Sequence, residues 1–68
     1  MGKIQLNEIE IKIIKLICRQ FTAKEIAEKL GYSFRTVEDY RNKIEKKIAA
    51  RNVVGIALYA IKHGIYKL

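Results

Sequence analysis

Apolar side chains recur along this chain at the three- and four-residue spacing that is typical of amphipathic α-helices. The first such segment follows Asn7, and Glu10 stands three residues later, which predicts an N-cap with a reciprocal acidic partner. The stripe that would face a core comprises Ile9, Ile13, Leu16, Ile17 and Gln20, and it is widened by Ile14 and Cys18. A helix with so broad an apolar arc needs more than one neighbouring element to cover it.

A second, shorter helix is predicted to begin at Ala23, because residues 22–25 repeat the capping-box spacing. Its buried side would comprise Ile26, Ala27 and Leu30. Gly31 can take the positive φ that ends a helix. Only Tyr32 separates this glycine from Ser33, a residue suited to cap a third helix. Two helices joined by so short a turn form a helix-turn-helix arrangement.

The third helix divides into two faces when its residues are placed at about 100° intervals. One face is apolar and comprises Val37, Tyr40, Ile44 and Ile48. The opposite face is polar and comprises Arg35, Asp39, Asn42 and Lys46, with Glu38 and Lys43 at its edges. A helix with such a polar face fits the DNA major groove. The alternative interpretation is the ordinary solvated side of a surface helix.

A fourth helix is predicted after Asn52, which is a plausible cap, and Gly64 is a natural stop. It carries two apolar stripes, one of Val54, Ala57, Leu58 and Ile61 and the other of Val53, Ile56 and Ala60. We expect the first stripe to face the core. We expect the second to contact another copy of the chain, because so short a chain has nothing obvious to cover it.

Composition favours one small all-α domain over residues 1–68, with residues 1–5 as a flexible lead-in. Hydrophobic residues make up 50% of the chain, and Ile, Lys, Ala, Leu and Glu dominate, which favours short helices over a sheet sandwich. A deep catalytic pocket is not expected in so small a domain. The sequence has neither an apolar run of about 20 residues nor a signal-peptide pattern, so we expect a soluble, cytoplasmic protein that does not bind in a membrane.

The net charge of +7, from 14 Lys and Arg against 7 Asp and Glu, points first to nucleic acid as a partner. An anionic membrane surface or an acidic protein remains an alternative, and RNA is less favoured because no sheet with stacking aromatics is predicted. Cys18 is the only cysteine, and His63 has no partner at metal-binding spacing. With no nucleophile–base pair either, we expect no enzyme, no metal site and no cofactor.

Two strings of residues resemble the LuxR-type helix-turn-helix domain: L-N-x-x-E at 6–10 and T-A-K-E-I-A-x-x-L-G-Y-S-x-x-T-V at 22–37. Residues 47–48 and 59–61 continue the likeness, which covers the chain from Leu6 onward. This family provides the C-terminal output domain of many bacterial response regulators and quorum sensors. The resemblance implies a four-helix fold, transcription regulation and dimerisation through the fourth helix.

Carried over by position, the resemblance implies that DNA bases are read by Glu38, Asp39 and Asn42. It implies phosphate contacts at Thr22, Ala23, Arg35, Thr36, Lys43 and Lys46. The first two of these lie at the start of the second helix, where free amides can meet phosphate. The sequence departs from the family's usual residues at several positions: Gln20 and Ala49 stand where glycine is common, Ala23 where Asn is common, and Tyr40 where His is usual.

The leading hypothesis is therefore a DNA-binding output domain of a bacterial transcription regulator, which works as a homodimer on paired half-sites of double-stranded DNA. The chain is then either a C-terminal fragment of a larger protein, which we favour, or a small regulator that stands alone. The alternative, from a different class, is a helical interaction module that docks RNA polymerase or an acidic partner. It is motivated by the acidic pair Glu38 and Asp39 and by the apolar fourth helix.

Overall fold

The structure, a computed structural model, describes residues 5–68, and within this range the chain forms four α-helices and no strand. The helices are α1 (Glu8–Cys18), α2 (Ala23–Leu30), α3 (Phe34–Ile48) and α4 (Val53–Lys62). The predicted all-α class is confirmed. Of the flexible lead-in expected at residues 1–5, residues 1–4 lie outside the described residues. Within the described range, every helix is too short or too polar to span a bilayer.

Each helix begins directly after the residue that the sequence predicts as its cap: Asn7, Thr22, Ser33 or Asn52. In α1, Asn7 Oδ1 accepts a hydrogen bond from the Glu10 amide at 2.9 Å, and the Glu10 carboxylate accepts one from the Asn7 amide at 3.0 Å. The same reciprocal pair joins Thr22 and Glu25 at the start of α2. Caps of this kind stabilise a helix by about 1 kcal/mol each, so local sequence fixes where the helices start.

All four helices contribute to one core, whose buried side chains are Ile13, Ile14, Ile26, Ala27, Val37, Ile44, Ile48, Ile56 and Ala60. The predicted inner face of α3 is confirmed at Val37, Ile44 and Ile48, while Tyr40 is half-buried. α1 packs against all three of the other helices, as its broad apolar arc requires. Gln20, predicted on the buried stripe of α1, is instead exposed, because α1 ends at Cys18.

The face that α4 turns to the core is the opposite of the predicted one. Ile56 and Ala60 were expected to meet a second copy of the chain, yet both are 0% exposed within the monomer. Most of the stripe expected in the core lies on the surface, with exposed fractions of 62% for Val54, 62% for Leu58 and 39% for Ile61. The predicted dimer interface of Val53, Ile56 and Ala60 is therefore wrong, since only Val53 is exposed.

Close contacts lie at both ends of α4. At its start, Gly55 lies against Ala50, and a Cβ on the glycine would stand 3.0 Å from the alanine Cβ. Beyond its end, the amides of Ile65 and Tyr66 donate to the Ala60 carbonyl at 2.8 and 3.2 Å, so the chain folds back over the helix. Ile65 and Tyr66 pack against the same core as the buried Ile56 and Ala60.

Among residues 5–68, two residues other than glycine take left-handed backbone conformations: Gln20, with φ of 69°, and Ala49, with φ of 59°. Both stand where the resemblance to the LuxR-type domain places glycine. Gly31, with φ of 72°, ends α2 as predicted. An L-residue with a Cβ is strained by about 1–2 kcal/mol in this region, whereas glycine is not. The chain therefore carries strain at the C-terminal ends of α1 and α3.

We expect Ala49→Gly to raise the free energy of unfolding by about 0.5–1 kcal/mol. Relief of the left-handed strain exceeds the extra backbone entropy that glycine gives the unfolded chain. Urea unfolding followed by circular dichroism measures the change. Ala50→Gly is the matched control: this neighbour has no positive φ and contacts Gly55, so the same substitution there should destabilise the fold. Destabilisation by both substitutions would contradict the strain at Ala49.

Candidate nucleic-acid interface

A tight turn between α2 and α3 fixes how α3 lies on the domain. Gly31 takes the left-handed conformation, and the Tyr32 amide donates to the Ala27 carbonyl at 2.9 Å. The ring of Tyr32 then stacks on Tyr40 of α3, with the ring centroids 6.0 Å apart. Backbone and side chains thus brace the start of α3 against α2, and the unburied side of α3 is held in one orientation.

The outer side of α3 carries most of the predicted site residues. Five of them are exposed: Arg35, Asp39, Asn42, Lys43 and Lys46. Thr36 is half-buried, and its hydroxyl lies 2.9 Å from the Ser33 hydroxyl at the cap. The exposed group contains three cations against one carboxylate. It presents a positively charged face with one neutral amide, from Asn42, able to donate and accept hydrogen bonds.

Glu38 is not free on this face, because it is bound to Arg41, a residue that sequence reasoning missed. Arg41 donates to the two Glu38 oxygens at 2.7 and 3.4 Å, and to Glu45 at 2.6 Å. The hydrogen bond from Arg41 lowers the pKa of the Glu38 carboxyl and raises that of the guanidinium. The spacings of three and four residues along the helix were the available signal. This bidentate pair occupies one acceptor site on each Glu38 oxygen and leaves the others for a further contact.

The other missed contact joins α3 to α1. Lys47 Nζ donates to the Glu10 carboxylate at 2.8 Å and to the Gln5 carbonyl at 3.3 Å. Burial alone would raise the pKa of the Glu10 carboxyl, but Lys47 and the Asn7 amide outweigh it and hold that pKa below its ordinary value. Glu10 is only 2% exposed, so this pair ties the exposed Lys47, at the C-terminal end of α3, to a buried carboxylate of α1.

Thr22 and Ala23 lie at the start of α2, beside the outer side of α3. Thr22 is exposed and Ala23 is half-buried. Both border an open groove of about 500 Å³ that is also lined by Glu38 and Arg41. The N-terminus of a helix carries a partial positive charge and unpaired amides, which favour an anion. The structure therefore brings two of the predicted phosphate-contacting residues close to one edge of the α3 surface.

Residues 5–68 contain no group of three His, Cys, Asp or Glu side chains that could hold a metal ion. Burial raises the pKa of the Cys18 thiol, which keeps it protonated. His63 stacks on Tyr59, with ring centroids 4.1 Å apart. The outer side of α3 can bind a ligand through its charges and its hydrogen-bonding groups.

Comparison with known proteins decides the family. The family described as "Bacterial regulatory proteins, luxR family" matches residues 5–60. The chain belongs to the LuxR family. Members of this family are DNA-binding regulators of transcription, and this LuxR-family domain has the four-helix, helix-turn-helix fold that the resemblance implies.

Several regulators are similar to the LuxR-family domain. It is 38% identical over 94% of its length to "Transcriptional regulatory protein MctR" of Rhizobium johnstonii. It is 37% identical over 88% to "Response regulator GacA" of Pseudomonas aeruginosa, and 37% identical over 84% to "Oxygen regulatory protein NreC" of Staphylococcus aureus. The matched regions make up 30%, 28% and 26% of these relatives. The chain thus spans less than a third of each.

Proposed function

We propose that this domain binds specific sequences of double-stranded DNA through α3, as the output part of a bacterial transcription regulator in the cytoplasm. The observation that carries the proposal is the division of α3. Its inner side is packed into the core at Val37, Ile44 and Ile48, while its outer side presents cations and a neutral amide on a braced helix. Family membership supports DNA as the partner. The name of the P. aeruginosa relative supports a two-component response regulator.

The residues of the proposed DNA interface form two groups, one that can contact bases and one that can contact phosphates. Asn42 lies in the middle of the outer side, and its amide can form paired hydrogen bonds with adenine. Asp39 can accept from cytosine N4, and Glu38 can do the same with the acceptor sites that Arg41 leaves. The proposed phosphate contacts come from Thr22, Ala23, Arg35, Thr36, Lys43 and Lys46. Contacts of this second kind hold the helix in register and carry no sequence information.

We also propose that two copies pair on DNA through α4, by way of its exposed stripe rather than the buried one. Val54, Leu58 and Ile61 follow one another at spacings of four and three residues, and all three are exposed. A two-fold axis beside this stripe would let each copy cover the other. Helix-turn-helix dimers bind half-sites about 34 Å apart, and a stripe this small fits a dimer that forms mainly on DNA.

Salt dependence of binding to duplex DNA tests the proposal directly. We expect Lys46→Ala to weaken binding to all sequences about equally and to reduce the slope of log K against log salt by about one, because one phosphate contact is lost. Fluorescence anisotropy with a labelled duplex measures both quantities. Lys62→Ala removes an equal charge from the end of α4 and should leave the slope unchanged. Equal slopes for wild type and Lys46→Ala would exclude Lys46 from the phosphate contacts.

A further inference from the structure

A second groove, of about 400 Å³, lies between α1, the end of α2 and the C-terminal segment. None of its lining residues belongs to α3, and none belongs to the exposed stripe of α4. The groove is thus separate from the surfaces proposed for DNA and for pairing. Its walls carry four cations: Lys12, Lys15, Arg19 and Lys29.

These four cations are not balanced by acidic side chains. No carboxylate lines the groove, and among residues 5–68 the ion pairs involve only Arg41 and Lys47 as cations. Lys29 lies 5.4 Å from the centre of the Phe21 ring, an interaction that leaves its charge uncompensated. The groove therefore concentrates positive charge without an internal partner for it.

Helix dipoles explain part of this arrangement. Lys15 lies in the last turn of α1 and Lys29 in the last turn of α2, where a cation is favoured. Each helix end, however, carries only about half of a negative charge. Two such ends compensate about one of the four positive charges and leave about three. The dipoles therefore explain the positions of Lys15 and Lys29 but not the net positive potential of the groove.

The remaining lining side chains are apolar or aromatic: Leu16, Leu30 and Tyr66. All three are half-buried, and they pack against the core with part of their surface left facing the groove. In the monomer, the part of this apolar surface that faces the groove stays in water and adds little to the stability of the fold. The same combination is suited to a ligand that carries acidic groups around an apolar side chain.

We propose that this groove docks an acidic, amphipathic protein segment, whose carboxylates meet the four cations and whose apolar side chains cover Leu16, Leu30 and Tyr66. Charge complementarity selects the acidic class of partner. The apolar surface favours a protein segment over nucleic acid, because a phosphate backbone has no apolar groups to bury there. The proposal does not depend on the function proposed for α3, since the two surfaces share no residue.

Two synthetic peptides and two variants test it. The first peptide is a helical probe with glutamates on one side and leucines at spacings of three and four residues on the other, and the second replaces the leucines with serine. The groove variant is Lys15→Glu with Arg19→Glu. The control variant is Arg51→Glu with Lys62→Glu, which changes the net charge equally at exposed positions outside the groove. Circular dichroism establishes that both variants keep native helicity.

We expect the leucine peptide to shift the NMR amide signals of Leu16, Leu30 and Tyr66. We expect the groove variant to bind it at least about tenfold more weakly and the control variant less than about threefold more weakly. Equal weakening by the two variants, equal binding of the serine peptide, or absence of peptide binding would overturn the proposal. So would equal shifts of the same three amides by a random-sequence duplex, because the groove would then be a nucleic-acid surface.

Discussion

Replacement of Ile56 by glutamate should unfold the domain. Ile56 is 0% exposed, so the substitution removes a core side chain and places a carboxylate where it has no partner. Loss of a buried isoleucine side chain alone costs about 2–5 kcal/mol, and burial of an unpaired charge costs more. A domain of this size has about 3–5 kcal/mol of stability in total. We therefore expect loss of the helical circular dichroism signal and of the cooperative thermal transition at neutral pH.

Leu58→Glu is the matched control for this experiment. It makes the same chemical change two residues further along α4, at a side chain that is 62% exposed. The fold should survive with native helicity, because the new carboxylate remains in water. If Ile56→Glu kept the native melting temperature while Leu58→Glu unfolded, the inward orientation of Ile56 would be contradicted.

The same Leu58→Glu variant should lose cooperative binding to DNA that carries two half-sites. Two carboxylates would face each other across the proposed two-fold axis, in place of an apolar contact. Linked binding strengthens association by 10²-fold or more, so we expect a loss on the order of 10²-fold on the paired site. Affinity for a single half-site should stay nearly unchanged. Both can be measured by anisotropy with duplexes of equal length.

The single half-site duplex makes this result specific to pairing. A variant that lost affinity equally on both duplexes would have damaged the DNA surface or the fold. Retained cooperativity would place the contact between copies somewhere other than Val54, Leu58 and Ile61.

The helices could be predicted from the sequence because the signals that bound them are local. A cap and its acidic partner lie three residues apart, as at Asn7 and Glu10, and both fall within one turn of the helix they start. The two faces of α3 were also clear, since Val37, Ile44 and Ile48 fall opposite a face that comprises Arg35, Asp39, Asn42 and Lys46 at helical spacing. The outer face is exposed, as this pattern predicts.

The rotation of α4 could not be predicted because both of its stripes are apolar. The choice depends on how α4 packs against α1 and α3, and the spacing of residues along α4 carries no signal for that packing. Lys47 and Glu10 are likewise 37 positions apart, and only the packing of α3 on α1 joins them. The basic groove arises in the same way, from two helix ends and a tail that meet only in the folded chain.

The central claim is that α3 reads a specific DNA sequence, and selection from a pool of random duplexes tests it most directly. The wild-type domain and Asn42→Ala should be taken through the same rounds, at a salt concentration that suppresses non-specific binding. We expect the wild type to enrich one motif and Asn42→Ala to lose preference at one base-pair position, with a cost of about 1–3 kcal/mol on the best site. If the wild type enriched no motif, the role proposed for α3 would be contradicted. If both proteins enriched an identical motif, the role proposed for Asn42 would be contradicted.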